Sequence, residues 1–135
     1  MADVTISSTD IRPLDGCIIR RFVAGGTLSM GAPVYLSAAD TVTHAAAGAC
    51  TTSFAIGVAV ATPDGGITCS AGEYVDVVLL GPVAGYSTNM AHNTIFYVDN
   101  DAGVIADAAG TKDTIVGIGL SASVLFVRPI WIDLS

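Results

Sequence analysis

Glycine or proline interrupts this chain every few residues, and that spacing limits what it can fold into. Fifteen glycines and five prolines leave no run of a dozen residues that keeps an i, i+3, i+4, i+7 apolar stripe, so a helical body is excluded. Between the breakers lie short runs rich in Val, Ile, Tyr, Phe and Thr, residues that suit a pleated, half-buried surface. Strands are expected over 17–23, 33–36, 41–44, 55–61, 74–80, 83–86, 94–98, 104–106, 114–120 and 124–130. The run 74–80 is apolar except for Asp76 and reads as a strand buried on most of both faces. Gly57, Gly117 and Gly119 fall inside strand patterns, where a bulge, a bend or a close backbone approach accounts for a missing side chain. Small barrels need such bends, so the expected fold class is all-β, a small β-barrel-like domain with little helix. The alanine-rich stretch 45–49 is the best candidate for a turn of helix.

Residues 1–16 differ from the rest. They are polar, contain Ser7-Ser8-Thr9 and Pro13, and alternate only weakly through Val4, Ile6 and Ile11. The expectation is an extended N-terminal arm, followed by one domain over 17–135. The start, Met-Ala-Asp-Val-Thr-Ile-Ser-Ser, has no basic segment leading into an apolar core, as a secretory signal would, so the mature protein is expected to begin there. Apolar stretches break within a few residues, and none has the ~20 residues a bilayer-spanning helix needs.

Charge narrows the partners. Hydrophobic residues make up 52% of the chain and charged residues 13%, about half the usual charged share. A surface so poor in ions is expected to be covered by other subunits or a larger assembly. Twelve acids against five bases give a net charge of −7, and of the bases Arg12, Arg20, Arg21, Lys112 and Arg128 only two are adjacent. Nucleic acid, whose binding draws on clustered cations, is not an expected partner, and neither is a membrane.

Chemical motifs are sparse. Gly117-Ile118-Gly119-Leu120-Ser121-Ala122 has the spacing of a dinucleotide-binding turn, but strand-like 124–127 follows where that motif needs a helix. Asp99-Asn100-Asp101-Ala102-Gly103 has the start of a calcium loop without its closing glutamate and reads as a hairpin turn, as Thr62-Pro63-Asp64-Gly65-Gly66 also reads as a turn. His44 and His92 have no second ligand at metal-binding spacing. Cys17, Cys50 and Cys69 form no C-x-x-C pair; they read as small buried hydrophobes, with one disulfide and a spare thiol as the alternative. No catalytic residues, cofactor or metal are expected, and the chain is not expected to be an enzyme. Trp131, in Pro129-Ile130-Trp131-Ile132, is either a core plug or an interface anchor, and with Ile130 it is the candidate oligomer contact.

The order of segments carries a resemblance. Gly25-Gly26-Thr27-Leu28-Ser29-Met30-Gly31-Ala32-Pro33-Val34-Tyr35-Leu36 is followed by Ala55-Ile56-Gly57-Val58-Ala59 and Val75-Asp76-Val77-Val78-Leu79-Leu80-Gly81-Pro82-Val83. Then come Ile95-Phe96-Tyr97-Val98-Asp99, Gly103-Val104-Ile105 and Ile115-Val116-Gly117-Ile118-Gly119-Leu120. Over about residues 20–130 this resembles the capsid cement, or head decoration, proteins of tailed bacteriophages. The resemblance implies a compact β-barrel or β-tulip subunit, made in the host cytoplasm, that sits as a homotrimer on the outer surface of the virion, at three-fold or quasi-three-fold points. Its partner would be the major capsid protein, and it would stabilise the expanded head against genome pressure. A terminal arm often reaches across capsid subunits in that family, which makes Val4, Ile6, Ile11 and Arg12 the candidate capsid contacts. The alternative is a virion surface module that binds a host glycan or receptor through Tyr86, Asn89 and His92 in the loop 85–93.

Overall fold

The computed structural model describes residues 3–133. The chain is all-β, as its breakers require. In order it forms β1 (Thr5–Ile6), β2 (Arg12–Pro13), β3 (Ile18–Ala24), β4 (Leu28–Ser29), β5 (Pro33–Ala38), β6 (Thr41–His44) and β7 (Ala55–Ala61). It continues with β8 (Thr68–Cys69), β9 (Tyr74–Ala84), β10 (Tyr86–Ser87), β11 (Ile95–Val98), β12 (Ile105–Ala106), β13 (Asp113–Gly119) and β14 (Val124–Asp133).

Five strands close on themselves. β9 pairs with β3, β3 with β6, β6 with β5, β5 with β7, and β7 returns to β9. Closure removes the free edges that an open sheet would expose. Valine fills this circuit, with Val34, Val42, Val58, Val75 and Val77 wholly buried. Each contributes roughly 1.5–3 kcal/mol of gross burial energy. The glycine expected to permit a close approach does so: a Cβ on Gly57 would be driven into the Val78 carbonyl. The ladder shifts register beside it, between Val34 and Tyr35.

β9 then leaves the circuit. At Gly81 its backbone has φ +129° with the Cys17 backbone against it, a conformation that side chains rarely adopt. Beyond that point Gly81–Ala84 pair with β14, which pairs with β13, then β11, then β12. This four-strand extension shares one apolar core with the circuit, to which it adds Phe96, Val98, Ile105, Val116 and Leu125.

Two expectations are corrected. The segment read as an extended N-terminal arm lies along the body, because its apolar residues are used at home. Val4 and Ile11 are buried, Ile6 packs against the core, and β1 and β2 pair with β10 and β9. Gly85, at φ +118°, lets the backbone of Ile11 cross it. The turn of helix at 45–49 is displaced to a single 3-10 turn at Thr51–Ser53. The N–H groups of Ala45, Ala46 and Ala47 donate instead to Pro33, Thr52 and Asp99. Those bonds use the donors a helix would need.

Candidate interaction surface

The extension presents an unusual outer face. In its ladders Ile95 lies opposite Ile118, Ile118 opposite Phe126, and Phe126 opposite Pro82. Residues directly opposed share one face of a sheet, so these four make a continuous apolar row across four strands. One step along, Ile115 lies opposite Ile130. Ile95, Ile118 and Ile130 are 45%, 36% and 40% exposed, so the row faces solvent. Ile95, Ile115, Ile118, Arg128 and Ile130 line a shallow groove of about 180 Å³, floored by Gly117. Single exposed apolar residues are ordinary, but a contiguous row of them marks an interaction site.

Glycine lets the strands beneath this face close up. A Cβ at Gly117 would run into the Phe126 carbonyl, and one at Gly119 into the Ala91 carbonyl. The apparent dinucleotide motif is therefore two close approaches within a strand, with the chain turning at 121–123 into β14. Arg128 is the charged side chain of the groove, and among the described residues it makes no ion pair.

Trp131, on the other side of β14, does two jobs. Its Nε1–H donates to the Ala55 carbonyl at 3.0 Å, and its ring meets Phe54 at 4.6 Å between centroids. The rest of the indole, 51% exposed, remains free to make contact. Ile130 lies in the groove, whereas Trp131, the next residue along β14, lies opposite buried Thr114 and reaches Phe54 and Ala55, so the structure does not bring the two candidate oligomer contacts onto one face.

The other sequence candidates separate. Of the candidate capsid contacts, Val4 and Ile11 are buried in the protein's own core, Ile6 is half-buried and Arg12 is exposed. Tyr86, expected as an exposed receptor contact, is buried, and its hydroxyl donates to the Gly31 carbonyl at 2.9 Å. Burial pushes its pKa well above the usual value. Asn89 and His92 are exposed, but Asn89 uses its side-chain N–H on the Asp3 carbonyl. All three cysteines are free thiols. Burial pushes the pKa of Cys17 and Cys69 up, which makes them poor nucleophiles. The Cys17 thiol donates to the Pro82 carbonyl at 3.0 Å.

Asp99 to Gly103 form the expected hairpin turn, with Val98 paired to Ile105. Sequence reasoning missed what this turn meets. The isolated bridge between Asp3 and Ala106 carries Asp3 to the turn, and the carboxylates of Asp3, Asp99 and Asp101 lie within 4.8 Å of one another. Oxygen donors of this kind suit a hard cation. A hydrogen bond with Asp99, burial, and the charges of Asp99 and Asp101 together push the Asp3 pKa up to about 6. His44 is half-buried and accepts the Ser29 N–H at 3.0 Å, and burial lowers its pKa.

No protein-family model matches the chain, and no curated protein matches it either. No helix among the described residues is long and apolar enough to cross a membrane.

Proposed function

We propose that this chain is a structural subunit fastened to a larger assembly by the outer face of β11, β13 and β14. The assembly in this reading is the expanded head of a tailed phage. The chain is then a capsid cement protein that docks on the major capsid protein at the outer surface of the virion, as a trimer at three-fold or quasi-three-fold positions. The observation that carries the reading is the apolar row Ile95–Ile118–Phe126–Pro82, held on a rigid sheet and left uncovered. The segment order of residues 20–130 directs it to a phage head.

A cement protein works through binding equilibrium. A ligand that binds the expanded shell and not its alternatives stabilises the expanded state by mass action. The contact must bury roughly 1,000 Å² or more to be specific, and a preformed flat sheet face limits the ordering entropy lost on docking. Many copies multiply modest contacts over the lattice. The receptor-binding alternative loses Tyr86, which is buried, and no other observation favours it.

The test is direct. The purified chain is mixed with expanded, undecorated heads, sedimented, and imaged by electron cryo-microscopy. Density of this size on the outer shell, at a fixed number of copies per head, is the expected result. Free protein in the supernatant and bare shells at saturating concentration would end the proposal.

A further inference from the structure

A second surface complements the first. At the far end of β9, the turn between β7 and β8 and the start of β9 form a groove of about 320 Å³, lined by Thr62, Pro63, Asp64, Glu73 and Tyr74. Tyr74 is 58% exposed, and Ile67 in the same loop is 44% exposed. Two carboxylates flank the ring. Asp64 is held by the Thr62 hydroxyl and the Gly66 N–H, and Glu73 accepts the Ser70 N–H at 2.6 Å. In each case one carboxylate oxygen takes these bonds, which leaves the other to accept from a partner. The Thr62 and Gly66 bonds keep the Asp64 pKa low and its carboxylate ionised.

The two surfaces are opposite in charge and alike in apolar character. One is an isoleucine groove with a single arginine; the other is a tyrosine and proline groove with two acids. They cannot meet within one chain, because β9 runs from Tyr74 to Pro82 between them, roughly 25 Å at about 3.3 Å per residue. A two-fold contact of the Arg128 face with itself would bring two arginines together in an apolar setting, which is unfavourable. A contact between unlike patches avoids this, and unlike patches generate a ring when the rotation between copies closes.

We infer that copies of this chain associate head to tail, the Arg128 groove of one copy seating on the Tyr74 groove of the next, with Asp64 and Glu73 receiving the guanidinium. Apolar area supplies the attraction, while the charges fix the register. The inference rests on the reading of the β11–β13–β14 face as a docking surface and specifies who docks there first. The groove takes the Ile95–Ile118 end of the apolar row, and the Phe126–Pro82 end, which lies outside it, is left to meet the shell.

The experiment is a charge swap on the full chain, read by sedimentation and native mass spectrometry, with circular dichroism and melting as controls for folding. Arg128→Glu and Glu73→Lys are each expected to weaken association at least about tenfold. Asp64→Lys added to Glu73→Lys is expected to weaken it further, and Arg128→Glu combined with both is expected to restore association. A wild-type chain that stays monomeric at about 100 µM overturns the inference, as does undiminished association of folded Arg128→Glu. A failure of the combined swap to recover also overturns it. Head binding separates the two readings. A monomer that binds heads, and loses them with Arg128→Glu, has a capsid protein as the occupant of this face: the inference fails and the proposed function stands. Rings that ignore heads do the reverse.

Discussion

The closed circuit and the four-strand extension are made from the same residues yet finish their surfaces differently. On the circuit, β3 exposes Arg20 and Arg21, each held by a carboxylate: Arg20 to Asp40 at 2.8 Å, Arg21 to Asp76 at 2.9 Å. The Arg20 guanidinium also lies over the Phe22 ring at 5.0 Å. The circuit exposes apolar side chains as well, Ile18 opposite Leu80 and Leu36 on β5, but beside these ion pairs; on the extension Ile95, Ile118 and Ile130 are exposed with Arg128 outside any ion pair among the described residues. Paired ions make a surface content with water. Branched apolar residues on a rigid sheet make one that gains by being covered. The difference supports the proposal that the extension carries the docking face.

Perturbing the circuit should cost folding. Gly57→Ala places a methyl group against the Val78 carbonyl, and overpacking against backbone with no room to yield should cost about 3 kcal/mol or more. Urea unfolding would show a lowered midpoint; a loss below about 0.5 kcal/mol would mean that the circuit is looser than its ladders imply. Tyr86→Phe tests the buried bond between β10 and the turn joining β4 to β5. It removes the hydroxyl that serves the Gly31 carbonyl and should cost about 1–2 kcal/mol, measured in the same way.

Acidity sharpens the contrast further. The Asp3 pKa is raised from 3.8 to about 6, so the folded state holds that proton more tightly than the unfolded chain does. Its contribution is complete below 3.8 and lost as pH rises through about 6. Asp3→Asn should flatten the decline in melting temperature across this window. His44 has the opposite sign: burial lowers its pKa from 6.5, so its contribution is present above 6.5 and lost as pH falls below it. The Asp3→Asn variant should keep that loss on the acid side. The smallest effect belongs to the exposed pair on β3, where Arg21→Ala should leave the urea midpoint nearly unchanged. A clearly lowered midpoint would mean that the ion pair holds the circuit together.

Much of the fold was legible because its signals are local. Val and Ile runs between glycines marked the long strands, and Gly57 and Gly117 marked close approaches, since both features act over neighbouring residues. What was not legible depended on distant meetings. Val4, Ile6 and Ile11 looked like a weak pattern because two-residue strands give no periodicity; their burial comes from Gly31, Gly85 and Tyr86, far along the chain. The acid cluster needed Asp3 beside Asp99 and Asp101, which only the bridge to Ala106 supplies. Tyr86 looked like a surface ligand because the sequence around it is small and polar. The docking face was half legible: Ile130 stood out at one end of the chain, while the row through Ile95 and Ile118 emerges only from register.

The most direct measurement is one substitution at the centre of that row. Ile118→Asp lies at a position 36% exposed, on a strand whose other face is buried, so unfolding free energy should fall by about 1–2 kcal/mol, with the chain still folded. Binding to expanded heads, measured by cosedimentation beside the wild-type chain, should fall at least about a hundredfold, since a desolvated carboxylate would sit in an apolar contact. Undiminished head binding by a folded Ile118→Asp protein would contradict the account, because the face on which it rests would then have no part in attachment.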